Sequence, residues 1–361
     1  MGDCPRIASV ATAVPPHVVR QPDVRALVAA LFSDFLESDR RLIQVFDHAH
    51  IEKRHFCAPM EWLAADRTFT ERNNCYLEAA VALAGEAART ALDRAGLDAH
   101  DIDHIIYVSS TGIATPSVDA RLCNTLDLRP DCRRTPIWGL GCAGGVAGLA
   151  RARDIALGDP SARILFIALE LCSVTFQRNE LSRRNLVATS LFADGAAAAI
   201  VTGSRVPTHA GARRTLEVVA THSTLWKDTL DVMGWTVESD GLHVVFSRDI
   251  PALVQDKVRP SLEAFLATHG LTVATIRHLV MHPGGAKVLG AFAEALHLEA
   301  NAYRHAREVL RDFGNMSSPT CLFVLDRFLD SGEIGDGEHA VMMALGPGFS
   351  AEYLLLRGTA R

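Results

Sequence analysis

Short apolar, strand-like runs alternate with longer helical patterns along the whole chain, the arrangement of an α/β protein. The alternation repeats. Residues 96–112, GLDAHDIDHIIYVSSTG, and 270–285, GLTVATIRHLVMHPGG, share one plan: a Gly-Leu helix exit, a polar turn, a strand opening Ile-x-His, and a Gly-containing loop. Carried forward by the same 174 residues, Gly141-Cys142-Ala143-Gly144 falls on Asn315-Met316-Ser317-Ser318. Helical patterns follow both, VAGLARARDIAL and PTCLFVLDRFLD, and both close at matched glycines, Gly158 and Gly332. An apolar strand comes next in each case, ARILFIALE and EHAVMMALG. The pattern predicts two βαβ-type halves, 1–205 and 206–361, each placing a polar loop at a helix N-terminus. The break falls in 203–216, GSRVPTHAGARRTL, rich in turn formers and charge. Chance likeness between two amphipathic stretches is the competing explanation. The pairing of two chemically equipped loops weighs against it.

Composition narrows the classes. Hydrophobic residues make up 48% and charged residues 22%, enough for a sizeable core and too apolar for general disorder. A net charge of −6 and short basic clusters, Arg183-Arg184 and Arg213-Arg214, argue against a nucleic-acid partner. No apolar run reaches the roughly 18 residues of a membrane span, and the N-terminus lacks a signal-peptide pattern, so a cytoplasmic protein without membrane insertion is expected. The eight cysteines contain no C-x-x-C pair, so neither a zinc site nor a disulfide framework is expected.

Three residues stand out chemically. Cys142, in WGLGCAGG, sits among small residues before a helix. A helix N-terminus favours thiolate, and its N–H groups can hold an oxyanion. The alternative is a buried packing cysteine. His282, in LVMHPGG, follows an apolar strand; an imidazole there can take the thiol proton or stabilise a carbonyl oxygen. Asn315, in FGNMSSPT, cannot titrate but can donate to a developing enolate; its alternative is an ordinary helix cap. Gly346-Pro347-Gly348 reads as a tight turn, or as backbone walling a site. The order Cys, His, Asn also occurs in papain-like proteases. Those place the cysteine near the mature N-terminus with an aromatic after it, unlike Cys142-Ala143.

At these residues the sequence resembles the type III polyketide synthases, the chalcone synthase-like family. The resemblance runs over essentially the whole chain, through GCAGG at Cys142, HPGG at His282, GNMSS at Asn315, LFADGAAA at 191–198 and GPGFSAE at 346–352. It implies a thiolase-like fold layered α-β-α-β-α and a homodimer. It implies an acyl-CoA starter loaded on Cys142 and malonyl-CoA decarboxylated with His282 and Asn315. A decarboxylative Claisen condensation and cyclisation then follow, with CoA thioesters as substrates and neither metal nor cofactor. By the same resemblance Phe192 is a gatekeeping aromatic, and Ser110, Thr175, Val244 and Ser317 line the cavity. Thr115 reaches the partner subunit's cavity. Val244 stands where plant members carry a second gatekeeping Phe, and Trp235 where they carry a cavity-floor glycine. Arg41, Gln44 and His48 occupy positions facing the CoA phosphates, of which Arg41 alone is firmly cationic; Gly284, Gly285 and Lys287 join the CoA-binding set. STGIATPSVDARL and GLGCAGGVAGLARA resemble bacterial alkylpyrone and alkylresorcinol synthases, which implies a fatty acyl starter and a pyrone or resorcinol product. Ser110 also replaces the extra cysteine of tetrahydroxynaphthalene synthases. The alternatives are a priming ketoacyl-ACP synthase and a non-catalytic acyl-binding protein of the same fold.

Overall fold

The computed structural model describes residues 4–208 and 214–359. The middle of the expected break, 209–213 with Arg213, lies outside the described residues.

Two central strands explain the architecture. Arg163–Leu171 and Asp194–Thr202 are buried almost end to end, so they read as continuous apolar runs. Successive side chains still point to opposite faces. Ile164, Phe166, Ala168, Ala197, Ala199 and Val201 enter one core with Val146 and Leu149. Leu165, Ile167, Leu169, Ala196, Ala198 and Ile200 enter a second core, against Ala80, Ala84, Ala87 and Ala91 of helix Phe69–Ala95. The alanine stripe lets that helix lie close to the sheet. Its ends are fixed locally by a Thr68–Glu71 capping box and by left-handed Gly96.

The sheet has nine strands in the order His278–Met281, His339–Gly346, Ser350–Gly358, Leu216–Leu225, Arg6–Ala13, Asp194–Thr202, Arg163–Leu171, His104–Val108 and Arg133–Ile137. The first four strands mirror the next four, and Arg133–Ile137 is an extra edge on the N-terminal side. Within the sheet the halves pair through Arg6 with Glu217 and Ile7 with Leu216. Helices Gly144–Gly158 and Thr320–Ser331 lie between them, each touching strands of both halves. Helix Phe69–Ala95 covers the outer face of one half. Helix Arg259–Ala267 covers the other, where Phe265 stacks on Tyr353 at 6.1 Å and on His222 at 5.5 Å. The result is the five-layer α-β-α-β-α order that the resemblance implies.

The two central helices begin almost backbone to backbone. A Cβ on Gly145 would fall 2.2 Å from the Ser318 carbonyl oxygen, and one on Gly148 2.2 Å from the Phe166 ring. Only glycine permits this approach. The matched loops 141–144 and 315–318 therefore meet at the centre of the molecule.

Candidate active site

Cys142, His282 and Asn315 line one narrow cleft, together with Met233, Phe246, Ile250, Gly284, Val288, Phe292 and Leu345. Three elements supply the three side chains. Cys142 lies in a single 3-10 turn, Gly141–Ala143, that runs into helix Gly144–Gly158. Ser110 fixes the approach to that turn, because its hydroxyl accepts from the N–H groups of Gly139 and Gly141, both at 3.2 Å. Gly346 and Pro347 back the turn from behind: a Cβ on Gly346 would meet Ala143, and Pro347 packs against Gly141.

His282 follows the strand His278–Met281 and is held there by its N–H on the Met343 carbonyl, 2.9 Å. Both imidazole nitrogens are buried with no hydrogen-bond partner. An unsatisfied buried polar group costs about 1–3 kcal/mol, so such groups mark function more often than packing. Asn315 is the opposite case, pinned at both ends. Its Oδ1 accepts from Ser317 N–H at 2.8 Å, and its Nδ2 donates to Gly284 O at 3.0 Å. This fixes the amide orientation and leaves one N–H for the cleft, where Cys142 already interacts with it. Asn315 is also tied to the Phe192 segment: its backbone N–H donates to Leu191 O and its carbonyl accepts from Ala193 N–H, both at 2.9 Å, bracketing Phe192.

Burial governs the charges. It pushes the Cys142 thiol up to about 11, against hydrogen bonds from Ser317 and Asn315 that favour the thiolate. It pushes His282 down to about 3. The helix N-terminus favours the thiolate but acts against this burial. The dipole falls off within a turn and does not outweigh desolvation here. Each charge by itself is unfavourable in this cleft. Formed together, by moving one proton from sulfur to imidazole, each supplies the counter-ion the other lacks.

A second space is lined by apolar side chains that include Val24, Val28, Met60, Leu63, Phe176 and Ala188, together with Arg54, Thr175, Phe192, Trp235 and Val244. The hairpin Met233–Glu238 with Gly241–Phe246 roofs both spaces: Met233 faces Phe246 over the cleft, and Trp235 faces Val244 over the chamber. Phe192 and Trp235 meet in the chamber wall, with ring centroids 6.0 Å apart.

Residues 4–205 match the family model for the N-terminal domain of chalcone and stilbene synthases, and residues 217–360 match the C-terminal domain model. The chain belongs to the chalcone and stilbene synthase family. Curated relatives include a putative chalcone synthase of Bacillus subtilis, 37% identical over 97% of both chains. Another is a 1,3,6,8-tetrahydroxynaphthalene synthase of Streptomyces peucetius, 41% identical over 97% of this chain and 92% of that one. Among solved structures, the tetrahydroxynaphthalene synthase of Streptomyces coelicolor, a bacterial type III polyketide synthase, superposes with a TM-score of 0.93. It is 29% identical and covers 99% of this chain and 100% of that one. The protein is an acyltransferase of the type III polyketide synthase class, with the thiolase-like fold.

Not every sequence-chosen residue faces the cleft of this synthase. Ser317, at a positive φ of 57°, holds Asn315 and interacts with Cys142. Gly285 packs toward Leu191, and Gly284 supplies the carbonyl that Asn315 needs. Arg41, Gln44, His48 and Lys287 are all exposed at the surface; Arg41 pairs with Asp39 at 3.2 Å. Thr115 is exposed beside Ile113. No helix among the described residues is long and apolar enough to cross a membrane.

Glu170 and Arg54, both buried and ionisable, escaped the sequence reading. Glu170 ends the apolar strand Arg163–Leu171 and accepts from Ser110 N–H at 2.9 Å, Thr111 Oγ1 at 2.8 Å and Ser318 Oγ at 3.1 Å. Burial raises it to about 7 despite these donors, and its charge opposes the Cys142 thiolate. Arg54 is buried between Gln21 Oε1 at 2.8 Å and the carbonyls of Thr189 and Phe192 at 2.7 Å, so it anchors the Phe192 backbone. A lone charge inside an apolar run was the available signal for Glu170.

Proposed function

We propose that the synthase loads a fatty acyl group from acyl-CoA onto Cys142, extends it with malonyl-CoA and releases an alkylpyrone or alkylresorcinol. His282 takes the Cys142 proton as sulfur attacks the starter thioester, and returns it to the departing CoA thiolate. Malonyl-CoA then loses carbon dioxide. The enolate oxygen receives the free Asn315 N–H and the N–H of neutral His282, and the enolate carbon attacks the Cys142 thioester and expels the thiolate. CoA thioesters supply all the chemistry in this scheme. The exposed Arg41, Gln44, His48 and Lys287 are its contacts for the CoA phosphates. Trp138 and Ile113, exposed apolar side chains near Thr115, fit burial in a homodimer.

One observation carries the choice of starter: the apolar chamber behind Phe192 and Trp235. Its hydroxyl and amide donors already serve the protein. Ser173 donates to Asp194, Thr175 to Cys172 O, Thr189 to Asn185 O, and Asn185 Nδ2 to Gln177 O and Glu180 O. The Arg54 Nε–H is the donor left without a partner among these lining groups, which offers little to a polar or aromatic-phenol starter, whereas an alkyl chain needs only contact area.

Filling the chamber tests this reading. Ala188→Phe is expected to lower kcat/KM for long acyl-CoAs by at least about tenfold, while acetyl-CoA keeps its value within about twofold. Mass spectrometry of products over a panel of acyl-CoAs measures both. Equal losses for long and short starters would remove the chamber from starter selection.

A further inference from the structure

The roof over the chamber is the hairpin Met233–Glu238 with Gly241–Phe246, which joins neither half of the large sheet. An isolated two-stranded hairpin is marginal in water, so its tethers decide where Trp235 and Val244 sit. Two side chains tether it to the 172–191 segment. Gln177 Nε2 donates to Leu242 O at 3.2 Å. His243 makes the second tether. Its Nδ1 lies 2.9 Å from Glu180 Oε2 and its Nε2 2.9 Å from Asp240 Oδ1, with 12% of its side chain exposed.

Ionised carboxylates only accept hydrogen bonds. Two such contacts require a proton on each ring nitrogen, which makes His243 an imidazolium and leaves neither nitrogen free to ligate a metal. The surrounding charge agrees. Glu180, Asp240 and Glu238 bring three carboxylates to the spot; Arg184, 2.8 Å from Glu180, and Arg72, which interacts with Asp240, bring two guanidiniums. One further positive charge balances the group. Burial pulls the His243 pKa down, but the hydrogen bonds and charges of Asp240 and Glu180 outweigh it and the net shift is upward.

We propose that His243 is a positioning residue: clamped between Glu180 and Asp240, it holds Trp235 and Val244 over the chamber and thereby sets which starter chains the synthase accepts. The proposal rests on the reading of the chamber as the starter's alkyl site. The clamp is present below the raised pKa of His243 and is lost as pH rises through it.

The test pairs hydrogen–deuterium exchange of 233–246 with KM and kcat for long-chain acyl-CoA and acetyl-CoA, from about pH 6 to about pH 9. In the intact enzyme, KM for the long chain is expected to rise with pH while the acetyl-CoA constants stay flat. His243→Gln is expected to raise the long-chain KM by about tenfold at neutral pH, leave kcat within about twofold, remove the pH dependence and speed exchange in the hairpin. His243→Lys, which keeps a cation, is expected to restore the neutral-pH KM and carry it unchanged to high pH. A uniform fall in kcat for all starters in His243→Gln would overturn the proposal, as would a pH dependence and hairpin exchange like those of the intact enzyme. If the intact enzyme converts no acyl-CoA although hairpin exchange follows His243, the starter reading fails. The selectivity claim then falls with it, and the clamp itself is upheld.

Discussion

Replacing His282 with glutamine is expected to slow iodoacetamide alkylation of Cys142 at pH 7 by more than about a hundredfold. Burial holds the lone Cys142 thiol at about 11. At that value only about one molecule in ten thousand carries a thiolate at neutral pH. The intact cleft contains a buried, unpartnered imidazole that can accept the proton and stay beside the sulfur as its counter-ion. Glutamine cannot. In His282→Gln the alkylation rate should therefore climb about tenfold per pH unit up to about pH 10, because only solvent base removes the proton. The intact enzyme should instead level off at a lower pH. Identical profiles for the two proteins would show that His282 does not activate Cys142. Alkylation reads sulfur directly, so the result does not depend on which acyl-CoA is the natural starter.

Asn315→Ala should separate the two half-reactions. The variant loses the one amide N–H that points into the cleft, together with the hydrogen bonds that align it on Gly284 and Ser317. Decarboxylation develops a full negative charge on the malonyl thioester oxygen, and removing one preorganised donor from such a site costs about two to three orders of magnitude in rate. Loading of Cys142 uses the thiol and imidazole, and should fall by less than about tenfold. Carbon dioxide release from malonyl-CoA and acyl transfer to sulfur, measured separately, check the split. A decarboxylation rate near that of the intact enzyme would take Asn315 out of the enolate's environment. The backbone bonds from Asn315 to Leu191 and Ala193 that bracket Phe192 survive the substitution, so starter selection should be unchanged.

How much of this was legible in the chain follows from distance along it. The matched loops at Cys142 and Asn315 were visible because the duplication repeats local signals: Ile-x-His strands, closing glycines and helical patterns at one fixed offset. Their meeting in space follows from Gly145 approaching Ser318, which the GCAGG motif announces through its small residues. Non-local register was hidden. Nothing near Trp235 in the sequence says that it faces Val244 across a hairpin and packs on Phe192, because the Phe192–Trp235 contact depends on how the roof is tethered to distant segments. Ser110 was expected to line the cavity; that its hydroxyl holds the Cys142 turn through two backbone N–H groups was not legible. Glu170 was masked by its apolar strand, whose pattern gives burial but not the four donors that converge on its carboxylate. The charge balance of the site was hidden for the same reason. A helix start is readable from sequence, but the desolvation that dominates Cys142 and His282 is set by the packed cleft.

The most direct test is the intact mass of the protein after incubation with a long-chain acyl-CoA, followed by peptide mapping. One acyl group on the Cys142 peptide, absent from Cys142→Ala and discharged as a longer product when malonyl-CoA is added, is the expected result. Acylation that persists in Cys142→Ala, or an acyl-enzyme that malonyl-CoA leaves untouched, would mean that bond formation does not occur at this sulfur.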